Sequence, residues 1–140
     1  MSTPNATFAS QAHLLGADDL ALLATLDGPV AIQAFLDQTP YNTSCERYYS
    51  PRSVLRERRA HCFDGACFAA AALWRLGHAP LVLDMRAHND DDHVIAVVKR
   101  HGCYGCVAKS NTTVLRYREP VYRTLRELVL SFFDFYYNLN

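Results

Sequence analysis

The sequence predicts an α+β protein in which several helices precede a small antiparallel sheet and one helix follows it. Three observations lead to this prediction. Apolar residues in the first half recur at helical spacing and end in an uninterrupted Ala-rich run. After about residue 80, short apolar stretches separated by turn residues take over, which is typical of strands. An amphipathic segment then closes the chain at 122–137. Helices kept apart from strands in this way are typical of the α+β class.

The chain has the length of one domain. We predict a single domain over 1–140, with a loose polar lead at 1–16. Lys+Arg and Asp+Glu balance at 14 each, so the overall charge gives no reason to expect a nucleic-acid or membrane partner. The first residues lack the basic start and apolar stretch of a secretory signal, and the five cysteines are an odd number. We therefore expect reduced thiols in the cytoplasm.

Start and stop signals place the helices of the first half. Proline at a first helical position marks two starts, at Gly28-Pro29 and Ser50-Pro51, and Ser50 is a favourable N-cap. Gly77 ends the Ala-rich run, which is the strongest of the predicted helices. These signals predict helices at about 18–26, 29–39, 51–59 and 62–76, with a loop at 41–49.

The second half reads as a meander of strands. Residues 80–87, 92–100 and 103–110 predict three strands, and 114–119 predict a short fourth strand that Pro120 ends. His101-Gly102 is a good tight-turn pair between the second and third strands. The last helix is predicted over 122–137.

Cys62 is the strongest candidate for a reactive residue. It opens the Ala-rich helix, where unsatisfied N–H groups and the helix dipole favour a thiolate. Cys67 lies more than one turn further in, beside Phe68, where we expect a small buried hydrophobe. A cysteine nucleophile needs a base, and His93 is the best candidate because it begins a strand at the end of the sheet. His61 adjoins Cys62 in the chain, so the two side chains are not expected to face each other easily.

Two segments hold these residues, and they read HCFDGACFAAAALWRLGHAPLVLDM and DDHVIAVVKRHGCYGCVAKSN. Over about 58–111 the chain resembles the transglutaminase-like superfamily of cysteine proteases, which has a papain-like fold with a nucleophile-bearing helix packed on a small antiparallel sheet of 3–4 strands. The resemblance favours Cys62, which stands 15 residues before Gly77, over Cys67, which stands 10 before it. It implies acyl chemistry at Cys62, with His93 as general base and then acid.

The residue that orients His93 is harder to assign. The family usually has an Asp a few residues after an aromatic residue on the third strand, but that position is Ala108 here. Three residues are candidates to replace it, in the order Asn111, Asp84 and Ser110. If 88–91 form the loop after the first strand, Arg86 faces His93 and Asp84 lies on the same face of the sheet.

Other groups with chemical potential are better explained as structure. Cys103 and Cys106 form a C-x-x-C, but within a strand they point to opposite faces and do not chelate a metal together. The run at 90–92 reads as a solvated acidic loop, although a carboxylate such as Asp92 close to the histidine would favour its charged form. The basic stretch at 52–59 reads as a solvated helix face, with recognition of an acidic or carboxylate-bearing substrate as the alternative. We expect no metal and no cofactor.

The sequence therefore favours a small enzyme that transfers an acyl group from a peptide or other amide-bearing substrate, with Cys62, His93 and Asn111 as catalytic residues. Water and an amine remain alternative acceptors, and a monomer and a homo-oligomer remain alternative states. The competing function is a binding or scaffold domain on a catalytically decayed transglutaminase-like fold. It is favoured by Ala108 and by His93-Val94-Ile95, where the family tends to have His-Ala-Trp.

Overall fold

The structure is a computed structural model that describes residues 7–44 and 47–136. Its helices are α1 (Phe8–Gln11), α2 (Ala17–Ala24), α3 (Pro29–Gln38), α4 (Pro51–Glu57), α5 (Cys62–Arg75) and α6 (Leu125–Leu130). Its strands are β1 (Leu81–Met85), β2 (His93–Arg100), β3 (Cys103–Ala108) and β4 (Arg118–Tyr122). Short 3-10 turns lie at Ala12–Leu14, Thr113–Leu115 and Phe133–Phe135. The element order confirms the predicted α+β class.

The four strands form one antiparallel sheet in the order β1-β2-β3-β4. His101 and Gly102 both have positive φ, 50° and 79°, as the tightest two-residue hairpin turns require. The turn pairs Arg100 with Cys103, as the sequence predicts, and the ladder runs back to Ile95 opposite Ala108.

The sheet separates two apolar clusters. On one face, Ala96 of β2 packs with α5 residues such as Phe68. On the other face, Ile95 packs with Leu128 of α6 and with Phe132. Because successive strand residues point to opposite faces, β2 is a central strand buried on both sides. Helix α5, which carries Cys62, and helix α6 therefore lie on opposite faces of the sheet.

The first turn of α5 is fixed by the buried carboxylate of Asp64. Its Oδ2 accepts a hydrogen bond from the His61 main-chain N–H at 2.9 Å, and its Oδ1 accepts one from the Tyr49 N–H at 2.8 Å. The first of these is the reciprocal half of a capping box. The second ties the loop before α4 to the start of the helix that carries Cys62.

A close approach between α5 and the end of β3 explains Gly65. A Cβ built at this position would lie 2.4 Å from Cβ of Lys109. The buried Lys109 ammonium donates to the carbonyl of Leu36 at 2.7 Å and to that of Thr39, so it caps the end of α3. Gly65 leaves room for this lysine stem.

The structure corrects the bounds of two predicted elements in the second half of the chain. The predicted fourth strand is present but its predicted bounds, 114–119, are wrong, because Thr113–Leu115 is a 3-10 turn and β4 runs from Arg118 to Tyr122. Pro120 lies inside this strand, which is at the edge of the sheet, where a missing N–H costs little. The last helix is shorter than the predicted 122–137, whose final residue lies outside the described part of the chain.

The predicted loose lead at 1–16 is also wrong in part. Phe8 of α1 packs edge-on against Trp74 of α5, with ring centroids 6.0 Å apart. Residues 1–6 of this lead lie outside the described residues, as do 45 and 46 of the predicted loop. The remaining helices agree with their predicted positions to within a few residues.

Within the described residues, no single helix combines the length and apolar composition needed to cross a membrane. Among these residues only α2 and α3 taken together have the required length and apolar composition, and the two helices are bent by 117° at the break between them.

Candidate active site

A cleft of about 730 Å³ opens where the start of α5 meets the start of β2. It brings together the three residues that the sequence predicts as catalytic, Cys62, His93 and Asn111. The acidic loop 89–92 forms one wall. The turn after β3 forms another wall, and the chain after α6 closes the cleft with Phe135 and Tyr136.

The Cys62 side chain is nearly buried, with a relative exposure of 5%. Its Sγ lies 3.3 Å from His61 Nδ1 and 4.0 Å from the Asp92 carbonyl oxygen. The first contact corrects the expectation that the His61 and Cys62 side chains do not face each other easily. His61 is the N-cap residue of α5, in an extended conformation at φ −82° and ψ 174°, and from there its ring reaches the thiol. The extended conformation typical of N-cap residues is the signal that points to this contact.

The electrostatic setting keeps the Cys62 thiol protonated in the resting protein. Burial raises its pKa above the ordinary value, and the nearby Asp64 carboxylate raises it further. Backbone contacts to Val94 and Phe63 act in the opposite direction but are weaker than the burial effect. Nucleophilic attack by this thiol would therefore require its deprotonation.

His93 is 4% exposed, and its ring is fixed by a hydrogen bond to the main chain. Its Nε2 donates a hydrogen bond to the Leu115 carbonyl oxygen at 2.7 Å. Because a carbonyl oxygen can only accept, Nε2 carries the hydrogen and Nδ1 of the neutral ring is left as an acceptor. The ring also meets Phe132 edge-on, with centroids 6.0 Å apart.

Burial lowers the pKa of His93 below its ordinary value, and electrostatic interactions with Arg118 and His61 add to this effect. The hydrogen bond to Leu115 opposes the shift without reversing it. This net shift is opposite to the one that the Asp92 hypothesis expects, and Asp92 is not among the groups that cause it. The Asp92 carboxylate instead accepts a hydrogen bond from the Ala87 N–H at 2.9 Å within its own loop.

None of the three predicted orienting residues takes the position that the Leu115 carbonyl holds. Asn111 is exposed and lines the cleft. Ser110 Oγ accepts a hydrogen bond from the Thr112 N–H at 3.0 Å, within its own turn. The expected register at Asp84 is wrong by one residue, because Met85 rather than Arg86 faces His93 and Asp84 pairs with Val94. Asp84 therefore points away from the face that carries His93.

Because successive side chains of β2 point to opposite faces, Cys62 and His93 lie on opposite sides of the sheet. Val94 belongs to the face covered by α5, where it packs with Cys62 and Ala66. His93 belongs to the opposite face, where it meets Phe132. The side chains of Cys62 and His93 both reach the cleft at the end of the sheet. Among the described residues, however, no hydrogen bond joins the Cys62 thiol to His93.

Three arginines of the basic stretch before α5 make contacts within the fold. Arg52 and Arg56 both contact the buried carboxylate of Asp19, at 3.2 and 3.3 Å, and so join α4 to α2. The Arg58 guanidinium lies 4.8 Å from the centroid of the Phe35 ring. These three arginines stabilise helix packing and do not line the cleft.

A smaller pocket of about 290 Å³ adjoins the cleft. It is lined largely by apolar side chains, among them Met85, Phe132 and Phe133. Asp90 and Tyr136 line both cavities, and the Tyr136 hydroxyl donates to the Asp91 carbonyl at 3.3 Å. Burial and the neighbouring acids raise the pKa of Tyr136 to about 12, so this hydroxyl stays protonated.

Metal-ligating residues do not gather in the part of the chain that the structure describes, where no group of three or more His, Cys, Asp or Glu side chains could hold an ion. The thiol of Cys106 is buried on the α6 side and contacts the Arg116 carbonyl at 3.7 Å. Burial raises its pKa to about 12. Among the side chains that line the cleft, the Cys62 thiol is the candidate nucleophile and the imidazoles of His61 and His93 are the candidate bases.

Comparison with known families assigns the chain to a family. A family model described as a transglutaminase-like domain matches residues 22–118, more than half of the chain. The chain belongs to this transglutaminase-like family. The matched segment includes α5 with Cys62, all of β2 with His93, and the turn that carries Leu115. No curated protein matches the chain.

Proposed function

We propose that this transglutaminase-like domain is a cysteine-dependent acyl-transfer enzyme that acts on a peptide or other amide through a thioester at Cys62. The observation that carries the proposal is the position of the Cys62 thiol, at the first residue of α5, in a cleft and 3.3 Å from an imidazole nitrogen. A thiol next to a base is the arrangement that nucleophilic catalysis needs.

The chemistry follows from the groups that surround the thiol. The Cys62 sulfur attacks the amide carbon while its proton passes to an imidazole, and the same proton then goes to the leaving amine. The first N–H groups of α5 have no partner within the helix and favour the negative charge that develops on the carbonyl oxygen. His93 serves as an acid–base group because its ring is fixed by Leu115.

The thioester can be resolved by water or by an amine, giving hydrolysis or transamidation from the same intermediate. The partner that we propose is therefore a peptide or amide-bearing substrate, with no cofactor. We also propose a cytoplasmic location. The four cysteines within the described residues are free, which suits a reducing compartment.

A second candidate function is a binding or scaffold domain that has kept the fold without efficient catalysis. Two observations favour it. Burial and Asp64 raise the pKa of the Cys62 thiol instead of lowering it. Ala108 also occupies the position at which the family usually carries an Asp, and it is fully buried beside Ile95.

A labelling and profiling experiment separates the two candidates. The protein and its Cys62→Ala variant are incubated with a library of peptides, and new products are identified by mass spectrometry. We expect products with the parent protein and with a Cys67→Ala control, and none with Cys62→Ala. Iodoacetamide labelling in parallel locates the reactive thiol. Absence of products and of preferential labelling at Cys62 in the parent protein would favour the binding domain.

A further inference from the structure

The imidazole that contacts the Cys62 thiol is not the one that the family resemblance implies. Sγ lies 3.3 Å from His61 Nδ1, a distance over which one proton can be held by either atom. His61 is itself well positioned, because Asp64 fixes its main-chain N–H at 2.9 Å and Tyr41 packs against its ring with centroids 5.3 Å apart. A base held in this way over the sulfur meets the geometric requirement for taking its proton.

His93 is positioned for a different proton. Its Nε2 hydrogen is used by the Leu115 carbonyl at 2.7 Å, and Nδ1 is then the ring atom that can accept. The side chain reaches the cleft from the face of the sheet opposite to α5, which favours contact with a molecule in the cleft over contact with the thiol itself.

We propose that the two imidazoles divide the proton transfers, with His61 exchanging the proton of Cys62 and His93 activating the molecule that attacks the thioester. This proposal rests on the proposed function, because it assigns the steps of that reaction. His61 is thereby a catalytic residue that acts directly on the reacting sulfur.

The protons balance in both half-reactions. In the first, a C–S bond forms as the thiol proton moves to His61 Nδ1, and the C–N bond breaks as that proton passes to the leaving amine. In the second, water or an amine forms a bond to the thioester carbon and gives its proton to His93 Nδ1. The C–S bond then breaks, and the proton returns through cleft water to the departing sulfur, which restores the thiol.

The protonation states of the resting protein agree with this division. Burial lowers the pKa of His93, so its ring is neutral and able to accept a proton near neutral pH. Burial raises the pKa of Cys62, so the thiol needs a base in contact with it at the moment of attack. His61 is the side chain that supplies this contact.

The test uses p-nitrophenyl acetate, whose leaving group departs without a proton, and compares the parent protein with His61→Gln, His93→Gln and the control His101→Gln. His101 is exposed in the turn between β2 and β3, at the end of β2 opposite to His93. Stopped-flow absorbance measures the burst that reports acylation and the steady rate that reports deacylation. Intact mass spectrometry measures the acetylated protein, and circular dichroism confirms that each variant is folded.

We expect His61→Gln to slow the burst about tenfold or more, and to slow iodoacetamide labelling of Cys62 in parallel. We expect His93→Gln to keep the burst, lose about tenfold or more of the steady rate, and accumulate acetyl-protein. His101→Gln should match the parent protein. A His93→Gln variant that loses the burst, or a His61→Gln variant that keeps it, would overturn the division while leaving the proposed function intact. A parent protein with neither burst nor acetyl adduct would overturn both.

Discussion

His93 Nε2 donates its hydrogen bond to the main-chain carbonyl of Leu115 at 2.7 Å, so the third member of the site is a backbone group and not a side chain. Carboxylate and amide side chains usually hold such an imidazole, and they fix its tautomer and its orientation. A carbonyl oxygen also fixes the tautomer and the orientation, because it can only accept a hydrogen bond and the ring nitrogen that faces it must carry the hydrogen. It adds no full negative charge, so its hydrogen bond opposes but does not reverse the lowering of the His93 pKa by burial.

The first prediction is that the polar side chains near His93 are not needed to orient it. Asn111→Ala and Ser110→Ala should each leave the steady rate with p-nitrophenyl acetate within about threefold of the parent value, because the partner of Nε2 is the Leu115 main chain. Asp84→Ala is the matched control, since Asp84, on β1, points to the face of the sheet opposite to that of His93. A loss of about tenfold or more in Asn111→Ala alone would assign the orienting role to Asn111.

The second prediction concerns the turn that presents the Leu115 carbonyl. Arg116 Nε donates to the Ser110 carbonyl at 3.0 Å, and the same guanidinium contacts Asp37 at 3.0 Å, so this side chain braces the turn against α3. Arg116→Ala should loosen the carbonyl and slow the step that depends on His93. Arg116→Lys should restore it only in part, because lysine cannot make both contacts in a fixed geometry.

Measurement of the burst and the steady rate separates this effect from a general loss of structure. A variant whose two rates fall equally has lost the site as a whole. One whose steady rate alone falls has lost the support of His93, and an unchanged pair of rates would show that the turn holds its shape without Arg116.

The third prediction is that one substitution makes the Cys62 thiol easier to deprotonate and also makes the protein less stable. Asp64→Asn removes a negative charge that raises the pKa of Cys62, so the inflection of iodoacetamide labelling against pH should move to lower pH. The variant should also be less stable by about 1–3 kcal/mol, because an amide cannot accept both N–H bonds in the same way and one buried donor loses its partner. Urea unfolding gives the second value, and a labelling profile that does not move would contradict the first.

The fourth prediction follows from the pKa of Cys106. Its ordinary value is 9.0 and burial raises it to about 12, so the folded protein holds the thiol proton where the unfolded chain releases it. Stability therefore falls as pH rises from about 9 towards about 12. Cys106→Ala should lower stability at neutral pH by creating a small cavity, yet flatten the decline across this alkaline window. Equal slopes in the two proteins would show that Cys106 does not titrate in that range.

The fifth prediction is that Gly65→Ala destabilises the fold although alanine is the better helix former. The added Cβ would lie 2.4 Å from Cβ of Lys109, and neither atom is at the free end of a flexible side chain. Overpacking of this kind costs about 1–3 kcal/mol. Ala71→Gly, at a half-buried position of the same helix, is the control and should cost about 1 kcal/mol from helix propensity. Thermal unfolding measures both, and a Gly65→Ala variant as stable as the parent would contradict the prediction.

The sequence alone established the α+β class, the helix that begins at Cys62 and the resemblance that the family match confirms. These features depend on signals within a few residues of one another. Ser50 caps α4 by accepting from the Ser53 N–H, Gly77 takes φ 89° after α5, and His101-Gly102 forms the tight turn. Local steric and hydrogen-bonding preferences act in the same way wherever the segment lies in the fold.

The tertiary structure decided how the site is assembled. A shift of one residue in the register between β1 and β2 placed Met85, and not Arg86, opposite His93, and removed Asp84 from its face. The N-cap conformation of His61 brought a second imidazole to the thiol. The orienting group is a carbonyl of the main chain, which every residue possesses and which no pattern of residue types can mark. Its position depends on how the turn at Leu115 packs against the sheet, and only the folded chain determines that.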